Sequence, residues 1–198
     1  MFNEEYEVLV ADNEQLRCEA FRIRYQVYCL ERGFEDPARF PTGEETDEYD
    51  ADARHFLVRS LKDGRFVATA RAVVARHNEL PMSRICRFSL RERTSDLPRM
   101  EVSRVSVVKG LNRRTDSAIL ALLVQASVAY GVELGLPNLM FLTSPAVARL
   151  LRRLRLPLIQ LGPLVEHRGM RAPFRLGLVQ AYENLFGVCA PQLAEMAA

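Results

Sequence analysis

The run Glu44 to Asp52 (EETDEYDAD) holds six carboxylates and no base, with Asp47 and Asp50 three apart. Opposite charge collects elsewhere, almost entirely as arginine: Arg84, Arg87, Arg91 and Arg93, then Arg113 and Arg114, then Arg149, Arg152, Arg153 and Arg155. Of 27 basic residues, only Lys62 and Lys109 are lysines. The planar guanidinium fork suits carboxylate and phosphate, so ion pairing and anion recognition are the chemistries on offer. GC-rich codon usage explains much of the surplus. Arg24 is a different case. It recurs with Phe21 and Tyr28 at helical spacing, and an arginine between aromatics beside a core face is not an ordinary solvated residue.

What is missing narrows the chemistry further. The sequence has no Ser-His-Asp order, P-loop or metal-ligand spacing, so no metal is expected. Cys18, Cys29, Cys86 and Cys189 lack C-x-x-C pairing and read as reduced, mostly buried apolar residues. His55 and His77 carry no motif. Net charge is +2. No helix-turn-helix, zinc finger or aromatic-basic platform accompanies the arginines, which argues against nucleic acid. The opening MFNEEYEVLV is acidic and mixed, and no run of about 18 apolar residues occurs, so a cytoplasmic protein without membrane insertion is expected.

These residues need a scaffold, and 198 residues, 48% of them hydrophobic, suffice for one domain spanning 1–198. Residues 5–11 read as a strand. Asp12 then caps a helix, with Gln15 as reciprocal partner and Leu16, Ala20, Ile23, Val27 and Leu30 as its apolar stripe. Residues 31–54 form a long loop, followed by a hairpin of strands 55–61 and 66–74 about the turn KDGR. Irregular chain follows, with a short strand or turn near Ile85–Phe88. Met100–Val108 is the strongest strand signal. Asp116 or Thr115 caps a helix to Leu134, buried through Ile119, Leu122, Leu123, Ala126 and Tyr130 and stopped by Gly135 and Pro137. Strand 138–143, helix 145–154, strand 156–161, strand 175–181 and a terminal helix complete the chain. The order predicts an α/β (α+β) fold: a mixed, mostly antiparallel sheet flanked by helices, with one parallel crossover.

The runs FRIRYQVYCLERGF, ETDEYDADARHFLV, ATARAV and EVSRVSVVKG resemble the acyl-homoserine lactone (AHL), or autoinducer, synthases, members of the wider GNAT acyltransferase architecture. The likeness covers Phe21 to Lys109. The tail GPLVEHRGMRAPF is similar to acyltransferases associated with PEP-CTERM/exosortase systems, and N-acyl amino acid synthases are close kin. The resemblance singles out Arg24, Phe34, Asp47, Asp50, Arg71, Glu101, Ser103 and Arg104, with Tyr28 beside them in the substrate pocket. It implies Glu101 as a base acting through water on the attacking amine. Asp47 and Asp50 either hold the acceptor's ammonium or lock the loop by pairing with Arg24 and Arg71. Phe34 stands where AHL synthases usually carry tryptophan, which keeps an aromatic wall but removes an indole donor.

In a regular strand Glu101 and Arg104 project to opposite faces. Both reach one site only across a bulge, so an irregularity is expected near Ser103–Val105, where the GNAT strand splays from its parallel partner, here 138–143. The thioester arm would lie along Val105 and Val107, and the acyl chain against helix 116–134 and strand 138–143. GNAT enzymes hold the coenzyme A (CoA) pyrophosphate on a loop shaped like [QR]-x-x-G-x-[GA] at a helix N-terminus. KGLNRRTDSA lacks the second small residue. Lys109, Arg113 and Arg114 instead suit the single phosphate of a phosphopantetheinyl carrier, or are a solvated basic loop. The arginines at 149–155 are the wet side of their helix or a docking face for an acidic carrier, and His167 shapes the acceptor pocket or is structural. The reading implied is transfer of a long acyl group from acyl carrier protein, or CoA, to the amine of a small molecule such as an amino acid, with no tightly bound cofactor. Its rivals are an AHL synthase using S-adenosylmethionine and a silent acyl-thioester-binding regulator of an exosortase system.

Overall fold

The computed structural model describes residues 5–75, 80–87 and 98–191. His77, Phe88, Arg91 and Arg93 therefore lie outside the described residues. Eight strands are described: β1 (Tyr6–Val10), β2 (Arg54–Ser60), β3 (Phe66–Ala75), β4 (Arg99–Val107), β5 (Asn138–Thr143), β6 (Leu158–Gln160), β7 (Val165–Glu166) and β8 (Met170–Gly177). The helices are α1 (Glu14–Tyr25), α2 (Arg113–Glu133), α3 (Pro145–Arg153) and α4 (Leu178–Phe186). The strand order is β1-β2-β3-β4-β5-β8-β6, with β7 on β8, and every registered pairing is antiparallel except β4 with β5. The mixed, mostly antiparallel sheet expected from the sequence is present.

The chain divides into two compact units, residues 1–72 with 104–126 and residues 73–103 with 127–198. In the first, β1, β2 and the first part of β3 form an antiparallel ribbon. Its core is Ala11, Ala20, Ile23, Val27 and Leu57, with Leu9, Leu16 and Phe66 packed against it. Helix α1 begins one residue later than the sequence suggests, because Asn13, not Asp12, accepts the Leu16 N–H at 3.0 Å. After Tyr25 the helix widens into a π-segment, Gln26–Glu31. Each turn there holds more residues than an α-turn. Leu30 consequently rotates off the apolar stripe and is 63% exposed, contrary to its predicted burial.

In the second unit β5 pairs with β8 along its whole length, from Asn138 opposite Gly177 to Thr143 opposite Ala172. The final strand lies about five residues earlier than expected. Leu178 belongs to α4, and its N–H donates to the Pro137 carbonyl. Ala172, Phe174 and Leu176 alternate into the core. Gly162, before β7, approaches the Arg87 carbonyl oxygen so closely that a Cβ there would sit 2.8 Å from it. A backbone oxygen cannot swing aside, so Gly162→Ala is expected to destabilise the protein by about 1–3 kcal/mol, measured by urea denaturation.

Helix α2 starts where Asn112 Oδ1 accepts the N–H groups of Arg114 and Thr115, both at 3.0 Å. Asn112 thus takes the capping place assigned above to Thr115 or Asp116. Ile119 and Leu123 are buried as predicted, whereas Leu122, Ala126 and Tyr130 are only partly buried, because the buried stripe runs instead through Val128 and Val132. Helix α2 is also the one described helix that, by length and composition, could cross a membrane.

Candidate active site

The acidic loop of the first unit closes on three arginines. Arg24 is wholly buried and donates Nε to Glu45 Oε2 at 2.5 Å, Nη1 to Asp50 Oδ1 at 2.6 Å and Nη2 to Asp50 Oδ2 at 3.0 Å. Arg71, also buried, donates Nη1 to Asp50 Oδ1 at 2.8 Å and to Asp47 Oδ1. Arg104 Nη2 pairs with Glu45 Oε1 at 3.1 Å and Asp47 Oδ2 at 2.8 Å. Three positive and three negative side chains cancel, which is the condition for burying Arg24, Arg71, Glu45 and Asp50, while Arg104 and Asp47 sit at the partly exposed edge. Asp47 N–H also donates to Asp50 Oδ2 at 2.7 Å, closing the loop upon itself. Asp47 and Asp50 thus make the pairings with Arg71 and Arg24 that one of the two expected roles required.

Glu45 is the member sequence reading passed over. It stood among six similar carboxylates, and only folding reveals that it is 1% exposed and shared by Arg24 and Arg104. The signal available was its place within the AHL-synthase-like run, which did not separate it from Glu48.

Burial drives the Asp50 carboxyl up, but hydrogen bonds from Arg24 and the charges of Arg24 and Arg71 outweigh it and hold its pKa at about 2. His55, fully buried with Nε2 3.4 Å from the Asp50 carbonyl oxygen, has its pKa lowered first by burial and further by Arg24 and Arg71. Both groups bind protons less readily folded than unfolded, so acid destabilises the fold in two stages. The His55 contribution is lost as pH falls below about 6.5, and the Asp50 contribution, about 2 kcal/mol, as pH falls from about 4 through 2. Urea midpoints measured against pH should show both stages, and His55→Gln should remove the first alone.

An aromatic wall flanks the cluster. Tyr28 and Phe34 meet edge to face at 5.7 Å, and the Arg104 guanidinium lies over the Tyr28 ring at 5.4 Å. The π-segment carries Tyr28 and positions Phe34, whose N–H donates to the Tyr28 carbonyl at 2.7 Å. Arg104 reaches Glu45 and Asp47 because its own backbone turns over: φ is +52° inside β4, in the left-handed region. That break is where the strand was expected to be irregular. The registered parallel pairing of β4 with β5 covers only Met100 with Leu139 and Glu101 with Met140.

In the second unit Glu101 is 3% exposed, and its Oε2 accepts the Met82 N–H at 2.8 Å, which ties the 3-10 turn Pro81–Arg84 to β4. Burial raises the neighbouring Cys86 thiol to about 11, with the Glu101 charge adding to the effect, so Cys86 is no thiolate nucleophile. Ser103 and Val107 are half-buried on β4, and Val105 is exposed. A pocket of about 270 Å³ opens between α3 and the Phe174 face of β8, with Arg149 and Arg152 on its rim. Lys109 donates Nζ to the Glu31 carbonyl at 2.6 Å, and Arg114 is exposed. Arg113 begins α2, and its side chain lies outside the described residues. Among the described residues no group of three or more His, Cys, Asp or Glu could hold a metal ion.

The acetyltransferase (GNAT) domain family matches residues 23–124, just over half the chain. The chain belongs to the GNAT family. Solved structures agree on the fold. The AHL synthase LasI superposes with a TM-score of 0.73 at 17% identity, over 96% of this chain and 99% of LasI. BjaI, a CoA-dependent AHL synthase whose structure holds S-adenosylmethionine and isopentyl-CoA, gives 0.68 at 20% over 92% and 88%. FeeM, an N-acyl amino acid synthase from uncultured soil microbes, gives 0.62 at 15% over 89% and 92%. No curated protein matches the sequence. In this GNAT acyltransferase the loop cluster, the aromatic wall and the break in β4 lie within the matched segment, whereas α3 and β8 lie beyond it.

Proposed function

We propose that this acyltransferase moves a long acyl group from an acyl carrier protein to the amine of a small molecule such as an amino acid. The observation that carries the reading is β4 itself, with a buried carboxylate at its last registered position against β5 and a left-handed residue three further on. A thioester arm can pair with main chain that β5 does not, beginning beside Glu101. Through a water, Glu101 takes the proton of the acceptor's ammonium, and the amine attacks the thioester carbonyl. The tetrahedral oxyanion is held by main-chain N–H groups of β4 beyond Glu101, then collapses with cleavage of the C–S bond, and the proton lost by the attacking nitrogen goes to the departing thiolate to give the free thiol. No acyl-enzyme is required.

The acceptor would rest on Tyr28 and Phe34, with Arg104 available to a carboxylate. Arg104 already faces Glu45 and Asp47, so it would hold the acceptor only at the edge of the cluster. Phe34 in place of tryptophan favours an acceptor other than S-adenosylmethionine. A cytoplasmic setting follows from a carrier-protein donor, and the tail's likeness to PEP-CTERM/exosortase acyltransferases suggests the system served.

Purified protein incubated with decanoyl carrier protein and either S-adenosylmethionine or a panel of amino acids should release N-decanoyl amino acid, read by mass. A lactone product would replace this reading with an AHL synthase. Absence of turnover on every acceptor would favour the silent binder.

Arg149, Arg152 and Arg153 are exposed on α3 and form no ion pair among the described residues. If they meet an acidic carrier, KM for decanoyl carrier protein should rise several-fold between 50 and 500 mM NaCl, while kcat holds steady. A salt-independent KM would remove α3 from the docking surface.

A further inference from the structure

At the exit of β4 the chain supplies its own anion. Glu31, the last residue of the π-segment, accepts the Lys109 N–H on both carboxylate oxygens, each at 3.1 Å. Lys109 Nζ donates to the Glu31 carbonyl at 2.6 Å, and Gln26 Nε2 donates to Glu31 Oε1 at 2.9 Å. In the first turn of α2 the N–H groups of Arg114 and Thr115 are likewise taken, by Asn112. Three of the donors with which this strand-to-helix loop could hold phosphate are therefore already engaged, the leading one by a formal negative charge.

We propose that Glu31 selects the acyl donor by charge. This rests on the reading that the donor is a pantetheine thioester seated along β4. A phosphate approaching Lys109 must displace or face the Glu31 carboxylate, and the repulsion grows with the charge carried. A carrier-bound arm presents one phosphodiester charge at this point, whereas CoA presents several. Glu31 thus rejects CoA more strongly than a carrier-bound arm. The departure of KGLNRRTDSA from the small-residue phosphate loop and the presence of Glu31 act in the same direction.

The test compares S-decyl-CoA with S-decyl-pantetheine, thioethers that cannot transfer acyl and that differ only in phosphates and nucleotide. Both are titrated calorimetrically into wild type and Glu31→Gln. The glutamine oxygen can still accept the Lys109 N–H, so the loop retains its shape while the charge is gone. Glu31→Gln is expected to bind S-decyl-CoA about fivefold more tightly or better, with S-decyl-pantetheine unchanged and the gain shrinking in 0.5 M NaCl. Unchanged CoA affinity, or an equal change for both ligands, overturns charge selection while leaving the donor reading intact. Failure of either protein to bind S-decyl-pantetheine overturns the donor reading, and this proposal with it.

Discussion

Glu101→Gln is expected to lower the rate of acyl transfer by about a hundredfold to ten-thousandfold, the usual worth of a positioned general base. The substitution separates catalysis from architecture. Glutamine's carbonyl oxygen can accept the Met82 N–H as the carboxylate does, so the turn at Pro81–Arg84 stays attached to β4. What is lost is the ability to take a proton. Thermal unfolding should therefore move little while product formation collapses, and KM for the donor should stay near its wild-type value. If Glu101→Gln turns over at the wild-type rate, the carboxylate is only a brace for the turn, and the base must be sought elsewhere. If activity and stability fall together, the brace dominates. Glu101→Asp then decides, since it keeps the charge but withdraws it by one methylene.

Arg24→Met is expected to cost about 3–5 kcal/mol of folding stability, the largest structural penalty of any single substitution considered. Methionine fills much of the volume, so packing loss is small. The cost is electrostatic: Glu45, 1% exposed, and Asp50, 6% exposed, lose the guanidinium that donates to both. Arg104 still faces Glu45 and Arg71 still faces Asp50, which is why the loss stops short of unfolding. Urea denaturation at pH 7 measures it. At pH 3 the penalty should shrink, because protonation of the orphaned carboxylates relieves part of the buried charge. A penalty below 1 kcal/mol would mean that the cluster is hydrated and the loop held by other contacts.

Much of the scaffold was legible in local pattern. The hairpin of β2 and β3, strand β4, the long helix α2 and the pair β5–α3 announce themselves through period-two or helical spacing and through turn residues at their ends. Those are near-neighbour effects, written in adjacent side chains. The irregularity at Arg104 was legible for a different reason. The resemblance singles out both Glu101 and Arg104, whose odd spacing parts them in a regular strand, so a break was expected between them, and φ at Arg104 is +52°. The boundaries of β8 and α4 were misjudged, because LVQAY after Gly177 suits either a strand or a helix. Pairing with β5 over Asn138–Thr143 settles it.

Sequence alone determined the strands, helices and turns of a mixed sheet, because residue type and short-range spacing carry that information, while the resemblance to the AHL synthases implied that the acidic loop, Arg24, Arg71 and Arg104 belong together. Which carboxylate pairs with which guanidinium was decided only in three dimensions. Glu45 was chosen over its neighbours because the chain returns to Arg24 and Arg104 from 21 and 59 residues away. Glu31 was set on Lys109 across 78 residues. Charges of one kind are interchangeable in a sequence, and burial beside a particular partner makes them distinct.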